Sequence, residues 1–295
     1  MQDLYPASSD TYASGINASG VIAGTAYQNG QPHGEIWSGS GVVDLGAGTF
    51  ATGINDPGAV VGGNGHAFVL VNGVYRDLGA LPGGSWSSAY GINNSGDVVG
   101  YGDAGSGAFR GIVWTAGGGT VELGTLGGSD SYAMAINGGG TVVGHAATAA
   151  GYDHAFLAVG AILIDLGTLG GTNSYAYGIN DSGSVVGYSY LASGDPHAFL
   201  YAGGGMVDLN SLIGTGSDWE LLEAYGINDA GQIVGEGLFN GQARAFRLDP
   251  LGSAAAPEPA SWVLLGVGLA LIVVKRIRRQ DTQFPISHRH RFSDR

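Results

Sequence analysis

The stretch Ser174–Ser189, SYAYGINDSGSVVGYS, has the pattern of a complete β-hairpin, and variants of its Ile-Asn-x-x-Gly centre occur six times. Asn180–Gly183 fits a type I turn, with Asn first and Gly last, between two short strands. Repeats at a spacing of about 40 residues are typical of propellers and related arrays. The six hairpin centres are separated by 38, 38, 44, 43 and 48 residues and begin at Ile16, Ile54, Ile92, Ile136, Ile179 and Ile227.

Each hairpin is followed by residues that complete a four-stranded unit. In the fifth unit, His197–Tyr201 reads as a third strand and Met206–Leu209 as a fourth, with a glycine turn between them. Four antiparallel strands in about 40 residues match the size of a propeller blade. Segments such as Asp165–Gly171 would carry the chain to the next blade.

The two ends of the array complement each other. Met1–Leu4 matches the fourth strand Met206–Leu209, whereas the last repeat stops at its third strand, Arg244–Leu248. An N-terminal strand that completes the last blade would leave only short, protected sheet edges. The sequence therefore predicts an all-β fold, a six-bladed β-propeller over residues 1–250 that is closed by the N-terminal strand.

Every repeat carries a hydrogen-bond donor at the start of its third strand and an acid in its fourth. Along the chain the two are 11 or 12 residues apart, which places both side chains on one face of a hairpin. Histidine with a carboxylate could be a catalytic dyad or a metal-ligand pair. A pair in every blade is more simply structural, because a catalytic site is needed once. We therefore predict structural donor–acid pairs, and no catalytic or metal site, at His33–Asp44, His66–Asp77, Arg110–Glu122, His154–Asp165, His197–Asp208 and Arg244–Asp3.

Acidic residues that do not belong to the repeated donor–acid pairs are better candidates for a catalytic or ligand-binding site. Carboxylates near an aromatic ring could serve a sugar site, and a solvated acidic loop is the alternative. These acids are Asp103, Asp130, Asp153, Asp195 and the cluster Asp218, Glu220 and Glu223 around Trp219. Oxygen ligands in the hairpin turns could bind calcium, although no dense D-x-D-x-D loop is present. The turn acids are Asp56, Asp181 and Asp229.

Charge and cysteine content exclude several classes of protein. Residues 1–253 carry 21 acids and four bases, a formal charge of −17, so the body is a poor partner for nucleic acid. The chain contains no cysteine, which excludes disulfides, thiolate metal sites and thiol nucleophiles.

The composition changes sharply after Pro250. A small-residue linker, 251–256, precedes Pro257-Glu258-Pro259, and Ala260–Val274 then carries no charge. Extended to Ile277, this stretch predicts a C-terminal hydrophobic, transmembrane helix within a segment 257–279, and a buried core helix is the alternative. The positive-inside rule places the propeller outside the cytoplasm. The basic cluster that sets this topology is Lys275, Arg276, Arg278 and Arg279, and residues 280–295 read as a short disordered basic tail.

The order of these parts closely resembles a PEP-CTERM sorting signal, sometimes labelled an ice-binding protein C-terminal domain. The resemblance covers about residues 256–279. It implies export and recognition by an exosortase, a membrane transpeptidase-like protease, with Pro257, Glu258 and Pro259 as the recognition motif. Similar proteins are often linked to exopolysaccharide and biofilm. Met1 lies within a strand motif, so a signal peptide would have to come from a start upstream of it.

The body, roughly residues 3–248, resembles the HAF family of extracellular repeats. His197-Ala-Phe-Leu, Asp165-Leu-Gly-Thr-Leu-Gly-Gly and Tyr177-Gly-Ile-Asn carry this likeness. The family implies an extracellular location more than a mechanism.

Together these features predict a non-enzymatic, surface-sorted structural or binding module of the cell envelope or extracellular matrix. It would be held by one membrane span with the propeller outside, or released by cleavage. The expected partners are the membrane, an exosortase and matrix components such as exopolysaccharide. The main alternative is a secreted glycan hydrolase or lyase on a propeller scaffold. Ice binding lacks the expected flat arrays of threonine, and a cytosolic protein with a buried C-terminal helix is a further alternative.

Overall fold

The computed structural model describes residues 10–214, 216–250 and 272–273. Their strands form six antiparallel sheets of four, joined in chain order. The first three sheets contain β1 (Thr11–Ile16), β2 (Ile22–Gln28), β3 (Gln31–Ser38) and β4 (Gly41–Ala47); β5 (Phe50–Ile54), β6 (Val60–Gly63), β7 (Ala67–Val71) and β8 (Val74–Gly79); and β9 (Ser87–Ile92), β10 (Val98–Asp103), β11 (Phe109–Trp114) and β12 (Thr120–Glu122).

The last three sheets repeat the same order. They contain β13 (Gly127–Ile136), β14 (Val142–Thr148), β15 (Asp153–Val159) and β16 (Ile162–Asp165); β17 (Gly170–Ile179), β18 (Val185–Leu191), β19 (Pro196–Ala202) and β20 (Gly205–Asp208); and β21 (Trp219–Ile227), β22 (Ile233–Phe239), β23 (Gln242–Pro250) and β24 (Ile272–Val273). A single 3-10 turn, Leu209–Ser211, is the one helical element of the described residues.

The hairpin turn is held by its asparagine. In the fifth sheet the backbone N–H of Gly183 donates to the carbonyl of Asn180 at 3.0 Å, and the Asn180 side-chain oxygen accepts from Ser184 N–H at 2.9 Å. Gly183 adopts φ +80°, a left-handed conformation that suits glycine. The local sequence Asn-x-x-Gly therefore sets each turn, and with it the register of the hairpin.

The hydrophobic core lies between the sheets. Each of the five junctions between consecutive sheets contains one buried apolar cluster. The first strand of one sheet packs on the first three strands of the preceding sheet, as β17 does on β13, β14 and β15. Phe156 and Phe199, from third strands, are fully buried, and each such side chain contributes about 2–3 kcal/mol by its burial.

The glycine of the Val-Val-Gly motif allows close packing inside each sheet. A Cβ atom on Gly187 would lie 1.9 Å from the carbonyl oxygen of Tyr175 on the neighbouring strand. No side chain fits there, so the glycine is required by the approach of the two backbones.

A ladder of asparagine side chains connects the turns of neighbouring sheets. The Asn137 Nδ2 donates to the carbonyl oxygen of Asn180 at 3.1 Å, and the Asn180 Nδ2 donates to that of Asn228 at 3.2 Å. Equivalent bonds start from Asn17, Asn55 and Asn93. The same residue thus closes its own hairpin and binds the next sheet.

The first and last sheets differ from the others at the surfaces where a ring would close. Ala13 on β1 and Ala245 on β23 are exposed, although their counterparts Ala133 and Ala155 are fully buried. Val234 on β22 is 47% exposed. In the described structure the five internal junctions are therefore packed, and the seam between the first and last sheets is open.

The described residues do not test the closure by the N-terminal strand that the sequence predicts. The fourth strand of the last sheet is β24, which pairs with Asp249 and Pro250, and so it comes from the C-terminal side. Met1–Leu4 lies outside the described residues. The pairing of β24 lies at the end of β23, beyond the stretch Arg244–Leu248 that the sequence predicts as the partner of Met1–Leu4.

The predicted transmembrane helix also falls mostly outside the described residues. The two described residues of segment 257–279, Ile272 and Val273, form β24 and are not helical. None of the helical structure in the described residues is long and apolar enough to span a membrane. Pro257, Glu258, Pro259, the basic cluster and residues 280–295 lie outside the described part.

Candidate functional site

The structure brings together five of the donor–acid pairs. The four histidine pairs are joined through Nδ1, at 3.0 Å for His33–Asp44, 3.2 Å for His66–Asp77, 2.9 Å for His154–Asp165 and 2.7 Å for His197–Asp208. Arg110 Nε lies 3.5 Å from Glu122 Oε1. Arg244 instead donates to Gln242 Oε1 at 2.6 Å, and Asp3 lies outside the described residues.

The aspartate of each histidine pair also caps the turn that follows it. Asp165 Oδ1 accepts from the Gly167 backbone N–H at 2.8 Å, and Asp208 Oδ1 accepts from that of Asn210 at 2.8 Å. One carboxylate thus joins the third strand, the fourth strand and the connection to the next blade. This arrangement explains the repeated Asp-Leu-Gly sequence in structural terms.

Two of these aspartates have a shifted pKa. Partial burial acts to raise the pKa of Asp44, but hydrogen bonds from Gly46 N–H and from His33 outweigh it, so the pKa is lowered. The pKa of Asp77 is lowered for the same reasons, with Gly79 and His66 as the donors. Both carboxylates are therefore held ionised, as acceptors, and not as proton donors.

The candidate acids outside the repeat frame are mostly occupied by local hydrogen bonds. Asp103 Oδ1 accepts from the backbone N–H groups of Ser85 and Trp86, both at 2.7 Å. Those two bonds hold the pKa of Asp103 low. Asp130 accepts from Phe109 N–H at 2.7 Å, and Asp195 accepts from Ser193 Oγ at 2.9 Å.

The aromatic residue of the candidate acidic cluster, Trp219, packs inside the sixth sheet. The Trp219 ring packs against Phe239 at 5.2 Å and Phe246 at 6.4 Å between ring centroids, within the sixth sheet. Glu223 accepts a hydrogen bond from Tyr225 at 2.9 Å. The aromatic ring of this cluster therefore belongs to the packing of the sheet, which the sequence pattern did not show.

The turn acids are used as blade connectors. Asp56 Oδ1 accepts from Ala18 N–H at 2.8 Å, Asp181 Oδ1 from Gly138 N–H at 2.7 Å, and Asp229 Oδ1 from Asp181 N–H at 2.8 Å. Within residues 10–214 and 216–250, no three histidine or acidic side chains come together in a group that could hold a metal ion.

A column of aromatic rings, which sequence reasoning missed, runs through the third, fourth and fifth sheets. Neighbouring ring centroids in it are 4.7–5.2 Å apart. Burial lowers the pKa of its one histidine, His145, to about 4, so this ring is neutral at physiological pH. The signal in the sequence was the aromatic residue after Val-Val-Gly. The members are Tyr90, Tyr101, Tyr132, His145, Tyr175 and Tyr188.

The aromatic column ends beside an open cleft of about 570 Å³ on the fifth sheet. Pairing of β17 with β18 jumps from Gly170–Leu191 to Ser174–Ser189, so residues 171–173 form a bulge opposite Tyr190. Bulges of this kind commonly redirect side chains near functional sites. The bulge and the 191–194 turn form the walls of the cleft, with Tyr175 and Tyr190 as its aromatic rings and Asn173 as its side-chain amide.

Two polar groups of the cleft lining are linked to each other and to Asp153. Asn173 Nδ2 donates to the Tyr175 hydroxyl at 3.0 Å, and that hydroxyl donates to Asp153 Oδ2 at 3.4 Å. Burial is the main cause that raises the pKa of Tyr175, which keeps its hydroxyl protonated. Asp153 was a candidate from the sequence, whereas Asn173 and Tyr190 were not.

Comparison with known proteins identifies the C-terminal segment. Residues 255–279 match the PEP-CTERM protein-sorting motif. This confirms the resemblance of that segment to a sorting signal, and it implies an exported, envelope-sorted protein that an exosortase processes. A search of curated proteins found no match to the sequence.

Solved structures support the propeller fold. The β-propeller domain of the Trilobed protease from Pyrococcus furiosus, described as having an open velcro topology, aligns with a TM-score of 0.56 and 11% identity. The alignment covers 81% of this chain and 83% of that one. A triple arginine-to-alanine mutant of AofleA from Arthrobotrys oligospora aligns over 90% of this chain and 92% of that one, at 11% identity, but its TM-score of 0.41 does not establish a common fold.

Proposed function

We propose that this protein is a binding or structural module of the cell envelope or extracellular matrix, delivered there by its C-terminal sorting motif. The match of residues 255–279 to that motif carries the proposal. The acidic body, with its formal charge of −17 over residues 1–253, suits a soluble domain outside the cytoplasm.

The membrane anchor and the repeat family belong to the same proposal. Ala260–Val274 followed by a basic cluster supports a single span with the propeller outside, retained until an exosortase cleaves the chain. The His-Ala-Phe and Asp-Leu-Gly repeats support kinship with the HAF family. Matrix polysaccharide is the expected environment after release.

We also propose a non-catalytic role. A glycan hydrolase or lyase would need two carboxylates placed across a substrate and free to transfer protons. The acids Asp103, Asp130 and Asp195 are instead occupied by backbone N–H or hydroxyl donors. The repeated histidine–aspartate pairs are equivalent in four blades, as expected for structural contacts.

The intact mass and location of the protein in its native host test this proposal. We expect a surface or released form truncated near Pro257–Pro259. Replacing Pro257, Glu258 and Pro259 together by alanine should leave the protein full-length and membrane-bound. The matched control, Pro285→Ala in the region beyond the motif, should be processed normally. A wild-type protein that keeps residues 260–295 at the surface or in the cytosol would contradict exosortase processing.

A further inference from the structure

We propose that the cleft on the fifth sheet is a binding site for a neutral saccharide. This inference deepens the proposed envelope role by naming a ligand class and a site. It rests on the shape of the cleft, on the residues that line it and on the fact that these residues depart from the repeat.

Two side chains of the cleft, those of Tyr190 and Asn173, occupy positions at which neighbouring blades carry other residues. Register alignment places Tyr190 where the fourth sheet has Ala147 and the third has Asp103. Asn173 stands where those sheets have Asp130 and Trp86. The fold tolerates different side chains at both positions, so a tyrosine and an amide facing the same cleft are features of this blade and not of the repeat.

The cleft has the size of a small-molecule site. Its volume of about 570 Å³ lies within the usual range of ~300–1,000 Å³. Glycine forms much of its wall, and at Gly171 a Cβ atom would lie 2.5 Å from the carbonyl oxygen of Tyr190. This close approach joins the bulge to β18 within the sheet, so glycine is required for the packing of the cleft wall.

The chemistry of the lining favours a sugar. Tyr190 offers a ring on which the C–H face of a pyranose can stack, and tyrosine combines such an apolar face with a polar tip. The ring of Tyr175 packs against Tyr188 and His145 in the aromatic column, so Tyr175 contributes its hydroxyl to the cleft. Asn173 provides an amide that can both donate to and accept from hydroxyl groups. Behind it, Asp153 accepts from Tyr175 and so orients the Tyr175 hydroxyl.

Other ligand classes fit this lining less well. No lining residue is basic, and the acidic body repels phosphates and nucleotides. A purely apolar ligand would cover the amide of Asn173 and the glycine backbone without satisfying them, which costs free energy. A neutral polyhydroxylated ligand satisfies both the ring of Tyr190 and the polar groups.

Titration of the purified full chain with four trisaccharides tests the proposal. The probes are cellotriose, laminaritriose, maltotriose and chitotriose, and the detergent must lack a sugar headgroup. We expect saturable binding of at least one probe by calorimetry, weakened about tenfold or more in Tyr190→Ala and in Asn173→Ala. Tyr190→Phe, which keeps the ring, should bind within about threefold of wild type.

The controls separate this proposal from stability and from sorting. Tyr190→Ala recreates the residue of the fourth sheet and should keep the wild-type melting temperature. Tyr75→Ala, at an exposed tyrosine of the second sheet, should bind as wild type does. No saturable binding to any probe up to about 20 mM, or equal binding by Tyr190→Ala, would overturn the inference. Because the assay uses purified protein, its result does not depend on whether the sorting motif is processed.

Discussion

At the scale of single residues, the histidine–aspartate pairs show how one side chain can hold several parts of a blade. Asp208 accepts from His197 on the neighbouring strand and from the Asn210 N–H two residues on. Both side chains of this pair are more than three-quarters buried, whereas His66 and Asp77 are 39% and 55% exposed. Water competes less for the first pair, so its hydrogen bond contributes more to stability.

Replacing His197 by alanine should therefore lower the stability of the propeller. We expect a loss of about 1–2 kcal/mol in the free energy of unfolding, measured by urea denaturation. The matched variant His66→Ala, at the longer and more exposed contact, should lose under about 0.5 kcal/mol. Equal losses in the two variants would show that burial does not govern these pairs.

Glu35 is a buried acid at a position where the repeat otherwise places an apolar side chain. It occupies the position that holds Phe68, Phe156 and Phe199 in other blades, and it is only 1% exposed. Its Oε1 accepts from Gln28 at 2.9 Å, but its Oε2 has no hydrogen-bond partner among the described residues. Burial is the main cause that raises the pKa of Glu35 above its ordinary value of 4.5.

The variant Glu35→Gln should be more stable than the wild type at neutral pH. Folding raises the pKa of Glu35. The wild type therefore loses stability as pH rises from the ordinary pKa of 4.5 through the higher pKa of the folded state. The variant carries no charge and escapes that loss. We expect a gain of about 1 kcal/mol in urea unfolding near neutral pH, and little difference well below pH 4.5. A gain that does not change with pH would exclude charge burial as its cause.

At the scale of elements, the asparagine ladder explains why the turn sequence is so constant. A hairpin turn alone would accept Asp or Ser at its first position. Asn137 also uses its Nδ2 to reach the carbonyl of Asn180 in the next sheet, while its Oδ1 accepts from Thr141 N–H. An amide donates and accepts through two separate atoms, whereas an ionised Asp only accepts and a Ser hydroxyl must do both through one oxygen.

Replacing a ladder asparagine should lower the free energy of unfolding more inside the array than at its end. Asn137→Ala loses both bonds in a buried site, and we expect a destabilisation of about 2–3 kcal/mol by urea unfolding. Asn228 is exposed, and its amide bonds to Gln232 in its own turn. Asn228→Ala should therefore cost only about 1 kcal/mol. Similar costs at both positions would mean that the turn, and not the ladder, is the source of stability.

The sequence predicts the contacts that lie within one hairpin, and it misses those that depend on irregularities of the strands. The turn at Asn180 and the separation of His197 from Asp208 lie within single hairpins, so spacing alone specifies their geometry. Trp219 faces Phe239 across β21 and β22, beyond a register shift at Leu221–Glu223 that the repeat spacing does not show. The Tyr190 cleft depends on the 171–173 bulge, which breaks the alternation that strand patterns rely on.

At the scale of the whole molecule, the open seam distinguishes this array from a uniformly packed ring. Five junctions bury the same set of small and branched residues, and the sixth leaves them exposed. The valines of the Val-Val-Gly motif show this most directly. Val143 is fully buried at an internal junction, whereas Val234, at the equivalent position of the last sheet, is 47% exposed.

A pair of valine-to-threonine substitutions measures whether the seam is open in solution. The change keeps the side-chain shape but replaces a methyl group by a hydroxyl. Burying that hydroxyl costs free energy, so the change is destabilising only where the side chain is buried. Val143→Thr should destabilise the protein by about 1–3 kcal/mol in urea unfolding, and Val234→Thr by less than about 0.5 kcal/mol. If the first and last blades pack together in solution, Val234 is buried as Val143 is, and the two losses should be equal. The comparison needs no knowledge of the chain ends, because both valines lie within the described sheets.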